Sequence, residues 1–184
     1  MLFRSDIGKY LVRSSLDSHS RQFPRSFVKA CDIYLAQNDA LANLFEGGPA
    51  TLIHGDLHLG NLYRDASGGV GAFDWALAAR MPGMWDVSYV LCNSFPPEFR
   101  RQYQRTLLAR YARALVLAGG PARSEAEIWD EYRCYAFYPW ISATATLGAG
   151  DRMQPTEIAA RAVDWTLTAL DDLGSLDYLA EQLR

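Results

Sequence analysis

His54-Gly55-Asp56-Leu57-His58-Leu59-Gly60-Asn61, with Phe73-Asp74-Trp75 shortly after it, is the stretch from which the fold is read. The apolar, β-prone run Thr51-Leu52-Ile53 leads into it. Residues 61–63 and 70–73 then read as two short strands, joined by the turn Asp65-Ala66-Ser67-Gly68-Gly69. Such a hairpin carries Asn61 at its start and Asp74 at its end, so topology alone brings an amide and a carboxylate to one edge. His-Gly-Asp by itself reads equally well as a tight turn, with glycine supplying a positive φ and aspartate capping the backbone. The pairing of Asn61 with Asp74 turns the reading toward chemistry. One carboxylate can orient a hydroxyl and accept its proton. An amide oxygen and a second carboxylate can hold a hard cation against phosphate oxygens.

The spacing is similar to the kinase catalytic loop H-R-D-x-x-x-x-N, with Gly55 in place of arginine and Asp74 where that template has a metal-binding aspartate. HGDLHLGN and FDW resemble the signature of the aminoglycoside phosphotransferase and choline kinase superfamily. Within it, GNLY, FDW and Trp85-Asp86-Val87-Ser88-Tyr89 look most like the ecdysteroid-kinase-like branch. The resemblance implies an ATP-dependent phosphotransferase acting on the hydroxyl of a small-molecule alcohol, with Mg²⁺ as cofactor. It implies Asp56 as catalytic base and Asn61 and Asp74 as metal ligands. His58 either faces the phosphates or hydrogen-bonds the loop. His54 is expected to pack under the loop. Asp86 is expected to hydrogen-bond the loop backbone, to cap its helix, or both. A zinc pair made of His54 and His58 is not expected, because no cysteine or third histidine sits nearby.

The chain has 184 residues and is 49% hydrophobic, enough for one domain with a core of its own. A net charge of -3 and a pI of about 5.6 argue against a nucleic-acid partner, which calls for a basic stripe. No run reaches the roughly 18 apolar residues of a membrane span. Charges at Arg4, Asp6 and Lys9, with no apolar run between them, do not fit a secretory leader. Cys31, Cys92 and Cys134 are far apart and odd in number, which reads as free thiols in a reducing cytoplasm.

Residues 1–23 are polar and read as a connector, with a short helix over 5–12. The periodicity predicts a helix over about 24–45, with Phe27, Cys31, Tyr34, Leu35, Leu41, Leu44 and Phe45 as its stripe. Arg80-Met81-Pro82-Gly83 reads as a loop. Helices are expected from about Asp86 to Phe95 and from Pro97 to about Ala118. Another opens at the capping box Ser124-Glu125-Ala126-Glu127 and runs to about Leu147. A further helix begins at Pro155, and 176–183 forms a last short one. The fold expected is α+β and mostly helical: residues 24–184 resemble a protein-kinase-like C-terminal lobe with a small catalytic hairpin.

The resemblance also implies an N-terminal sheet lobe with a glycine-rich loop and a phosphate-pairing lysine. Lys9 and Lys29 are the only lysines, and neither follows such a loop. The chain therefore reads as a truncated kinase whose residues 1–23 lead out of that absent lobe, inactive in isolation. The alternative is a non-catalytic kinase-like binding module. Trp129, Tyr132, Tyr135, Phe137, Tyr138 and Trp140 crowd one helix. They read as core, or as an acceptor wall suited to a steroid-like, apolar or quaternary-amine alcohol rather than a polycationic sugar. Glu125, Glu127, Asp130 and Glu131 could attract a cation, but a solvated helix face explains them at lower cost.

Overall fold

A computed structural model describes residues 5–184, so the first four residues of the segment read as a connector lie outside it. The described remainder of that segment is helical rather than loose. Ser5 accepts the Gly8 N–H at 3.0 Å and caps α1 (Asp6–His19), and a single turn follows over Ser20–Gln22. Polar composition misleads here because α1 needs only one buried seam. Gly8, Val12 and Ser15 supply it at helical spacing, against α7.

The expected helix over 24–45 is two helices, α2 (Arg25–Ala36) and α3 (Asn38–Glu46), separated where Gln37 leaves helical geometry. Phe27, Cys31, Tyr34, Leu41 and Phe45 are buried as the stripe requires. Strand β1 (Ala50–Ile53) follows, then the loop, then the hairpin β2 (Leu62–Arg64) and β3 (Val70–Ala72). Asp65 Oδ1 closes the hairpin turn by accepting the N–H groups of Ser67 and Gly69 at 2.9 and 2.8 Å. The Ser67 hydroxyl, which donates to the same oxygen at 2.6 Å, and then these backbone bonds hold its carboxyl below the usual range.

Of Arg80-Met81-Pro82-Gly83, expected as a loop, the first three belong to strand β4 (Ala79–Pro82), which runs antiparallel to β1 with Ala50 opposite Pro82. Proline obscured the signal. In a two-stranded ribbon every strand is an edge, and there a missing N–H is tolerated.

The rest is helical: α4 (Met84–Asn93), α5 (Pro97–Leu117), α6 (Glu125–Tyr135), α7 (Phe137–Ala149), α8 (Thr156–Leu173) and α9 (Ser175–Gln182). The capping box at Ser124 and Glu127 is formed in both directions. The helix it opens stops at Tyr135 instead of running to Leu147. Pro139 has no N–H for the Tyr135 carbonyl and its ring crowds that turn, so α7 restarts after Ala136. Helix α7 is the axis of the core, with α1, α4 and α8 packed around it and nine of its residues buried. A helix apolar on all sides is stable only when surrounded in this way. Buried Arg100 pairs with Asp172 and donates to Gln104 Oε1, which ties α5 to α8.

The three cysteines are buried free thiols, as their spacing implied. Burial pushes Cys31 and Cys134 up to about 12 and Cys92 to about 11. No described helix is long and apolar enough to cross a membrane.

Helix α1 comes close to the α7 backbone at Gly148. A Cβ there would lie 1.9 Å from the Leu11 carbonyl oxygen, and Ser14 Oγ donates to the Gly148 carbonyl at 3.1 Å. Gly148→Ala therefore has to push the two helices apart. The expected cost is about 1–3 kcal/mol of stability by urea denaturation, the range for overpacked cores.

Candidate active site

The loop between β1 and β2 is set by two side chains beneath it. Asp86, in the first turn of α4, accepts the backbone N–H groups of His54 and Gly55 at 2.6 and 2.9 Å, one on each carboxylate oxygen. Burial pushes its carboxyl above the usual range, even against two bonds that favour the ionised form. Gly55 has φ +85°, and a Cβ there would meet the Leu77 carbonyl oxygen at 2.3 Å. A residue with a side chain fails on both counts, which explains glycine where the kinase loop has arginine.

His54 is buried, with its ring 4.8 Å from that of Trp75. Its Nδ1 accepts the Asp56 N–H at 3.3 Å, and its Nε2 lies 2.8 Å from the Phe73 carbonyl oxygen. A backbone N–H only donates and a carbonyl only accepts, so the ring carries its proton on Nε2. One imidazole thus joins the residue bearing Asp56 to the peptide that precedes Asp74.

Asn61 is buried at the mouth of the hairpin. Its Nδ2 donates to the Asp56 carbonyl at 3.0 Å and lies 3.4 Å from Asp56 Oδ2. This fixes which end of the amide is nitrogen and turns Oδ1 outward as an acceptor. Phe73 N–H donates to the Asn61 carbonyl at 3.0 Å, one pair beyond Leu62 opposite Ala72, so Asp74 stands at the same open end of the hairpin. Asp74 has φ 62° and ψ 61°, and is the one non-glycine residue with positive φ among those described. Such left-handed geometry costs of order 1–3 kcal/mol and gathers at functional sites. Its carboxylate is exposed and has no partner among the described residues. Two of its oxygens and Asn61 Oδ1 are therefore available to a ligand.

His58 accepts the Gly60 N–H on Nδ1 at 3.0 Å, and its Nε2 lies 3.6 Å from Asp56 Oδ2. Its ring thus does the loop bonding that was one of its two expected roles and also faces Asp56. His54 and His58 share no metal geometry, since both nitrogens of His54 are taken. Among the described residues no three His, Cys, Asp or Glu side chains form a metal cluster.

Of the floor of the site, sequence reasoning named only Tyr138, as one of a possible acceptor wall, and missed Tyr89. Tyr138 donates to the Gly55 carbonyl at 3.0 Å, and its ring lies tilted against that of Trp85 with centroids 4.0 Å apart. Tyr89 lies 3.1 Å from Ser142 Oγ, and the Asp56 charge is near enough to act on its hydroxyl. Burial, reinforced by that negative charge, pushes the Tyr89 phenol well above its ordinary value, so it stays an O–H donor. One signal was present: Tyr89 follows Asp86 by three residues on α4 and shares its face. Of the expected aromatic wall, only Tyr138 reaches this site. Tyr132, Tyr135, Phe137 and Trp140 are core, and Trp129 lies under Arg105 elsewhere. The acidic residues at the start of α6 are occupied: Arg105 pairs with Glu125, Arg133 with Asp130, and Arg123 with Glu131, while Glu127 closes the capping box. Above the floor opens a cleft of about 1110 Å³ between the loop, α4, α7 and α8.

Residues 11–129, from mid-α1 to within α6, match the family described as phosphotransferase enzyme family. The chain belongs to that family. The match takes in the loop, the hairpin and Asp86, and it does not single out the ecdysteroid-kinase-like branch. A search of curated proteins and a search of solved structures each gave no match. Phosphotransferase membership and a mostly helical α+β fold thus agree with the reading of the HGD loop.

Because Asp86 serves two backbone donors, its loss should show in stability and in local exchange. Asp86→Ala orphans two N–H groups at about 1–3 kcal/mol each, and Asp86→Asn orphans one. The expected order in urea denaturation is wild type, Asn, Ala. Amide hydrogen exchange at His54 and Gly55 should accelerate before that of the α7 core.

Proposed function

We propose that this phosphotransferase transfers the γ-phosphoryl group of ATP to the hydroxyl of a small-molecule alcohol, with Asp56 as base. The observation that carries the reading is the open end of the hairpin. There the Asn61 amide spends its N–H on the Asp56 carbonyl and keeps its oxygen free, beside an unpartnered Asp74 carboxylate. Mg²⁺ takes oxygen ligands, holds one or two protein groups, and fills its remaining positions with water and phosphate. Asn61 and Asp74 fit that demand and would hold the ion. When bound with ATP, it supplies charge neutralisation on the phosphate oxygens.

The residues of the chain do the rest. Asp56 orients the acceptor hydroxyl toward the phosphorus and takes its proton as the new P–O bond forms and the bond to the departing ADP breaks. His58 hydrogen-bonds the loop and faces Asp56. Asn61 aims the carboxylate, and His54 and Asp86 hold the backbone that carries it. Three inert, buried thiols suit a reducing compartment such as the cytoplasm.

A second reading, a non-catalytic binding module, rests on one observation. Neither lysine lines the cleft, and Lys29 is paired with Asp177, so no phosphate-pairing lysine is assembled at this site.

Two measurements separate these readings. In protein made from the whole reading frame, Asp56→Asn should leave nucleotide binding intact and lower kcat by roughly 10²–10⁴. Turnover within threefold of wild type would remove Asp56 from the role, and a wild type that binds nucleotide without transferring phosphate would favour the binding module. Asp74→Ala should weaken nucleotide binding when Mg²⁺ is present and leave metal-free binding nearly unchanged, as read by paired titrations.

A further inference from the structure

The lining of the large cleft carries information about what enters it. One wall is α7, where Tyr138, Ser142 and Thr146 recur every fourth residue. The other is α8, where Ile158, Ala162 and Trp165 share a face with Arg161. Among the described residues, Asp56 is the only carboxylate on this lining and Arg161 the only permanent cation. The remaining polar groups are neutral hydroxyls and amides apart from His58. Arg161 is exposed at the rim. No carboxylate among the described residues pairs with it, its own helix neighbours Glu157 and Asp164 included.

A polyamine acceptor calls for several carboxylates, and a single ammonium would meet Asp56 alone, the group reserved for the hydroxyl. A cleft with an apolar, aromatic face on α8, a neutral hydroxyl-bearing face on α7, a base at the floor and the free Arg161 guanidinium at the rim suits the opposite pattern. Taking the phosphotransferase reading as its basis, we infer that the acceptor is an alcohol with an apolar or aromatic body and an anionic group that pairs with Arg161. Arg161 is then the residue that selects acceptors by charge.

The test needs neither metal nor nucleotide, so it stands apart from the test of catalysis. The probes are phenylalkanols with alkyl chains of one to six carbons, each carrying a para carboxylate, carboxamide or aminomethyl group. Trp85 and Trp165 line the cleft and report binding by fluorescence. For the chain length that binds best, the carboxylate should bind about tenfold more tightly than the amine, the combined effect of gaining a rim ion pair and avoiding a repulsive one. Arg161→Gln should bring the two within threefold, Arg161→Glu should reverse their order, and Arg161→Lys should restore most of the preference. Circular dichroism and melting should be unchanged, because the side chain is exposed. Equal or tighter binding of the amine by wild type, or a carboxylate preference that survives Arg161→Gln, would overturn the inference. Absence of phosphate transfer with an intact preference would overturn the catalytic reading alone.

Discussion

The site depends on one carboxylate holding two adjacent backbone N–H groups. Leaving β1, the chain must turn back at once, and Gly55 at positive φ takes it out of any ladder. The N–H groups of His54 and Gly55 then have no strand to pair with, and the first of them is already buried. A buried backbone donor without an acceptor costs about as much as a lost hydrogen bond. Asp86 answers both donors from a rigid helix. Its own burial is costly, as its raised pKa records, so the arrangement holds only while α4 keeps its place against α7. Loop geometry is in this way coupled to core packing.

From that anchor the other groups follow in sequence. His54 cannot turn, because Asp56 N–H fixes one ring nitrogen and the Phe73 carbonyl fixes the other. Its ring therefore transmits the position of the loop to the hairpin. Asn61 makes the return connection through the Asp56 carbonyl, and Phe73 N–H closes the circuit on Asn61. Asp74 is left at the end of this chain of bonds with a strained backbone and a free carboxylate. Two hydrogen-bonded routes from Asp56 thus converge on the stretch just before Asp74, which is how a short hairpin can hold it in left-handed geometry.

The loop and hairpin were legible in the sequence because their roles demand particular residue types at fixed spacing: a glycine that no other residue replaces, an aspartate, an amide and a second aspartate. Asp86 was legible by resemblance and by its place at a helix start. What escaped was set by tertiary contact. The conversion of residues 79–82 into a strand depends on β1 lying alongside. The burial of α1 depends on Gly148 admitting Leu11, and no feature of the polar segment itself announces that. The break between α6 and α7 was foreshadowed by Pro139, whose weight a continuous apolar pattern concealed. The six aromatics on that stretch divided by geometry that sequence does not carry: only Tyr138 points at the loop.

The surroundings of Asp56 bear on the proposed chemistry. A fixed cation against a base stabilises its charged form and blunts its pull on a proton. The group that orients this carboxylate is a neutral amide from Asn61, and the Tyr89 phenol nearby is kept protonated by burial. The His58 ring stands slightly farther away, at 3.6 Å, with its other nitrogen engaged as an acceptor by the Gly60 N–H. No arginine or lysine touches the carboxylate among the described residues, and Arg161 is carried on α8, a different wall of the cleft. A neutral donor fixes the direction of the oxygens while leaving their charge available, and the Arg161 charge stands apart from Asp56, where in the proposed reading it meets an anionic group of the acceptor. In this protein the same core helix, α7, supports both arrangements, with Tyr138 beneath the loop and Ser142 beneath Tyr89. A change in α7 packing should therefore disturb the aim of Asp56 and the shape of the cleft together.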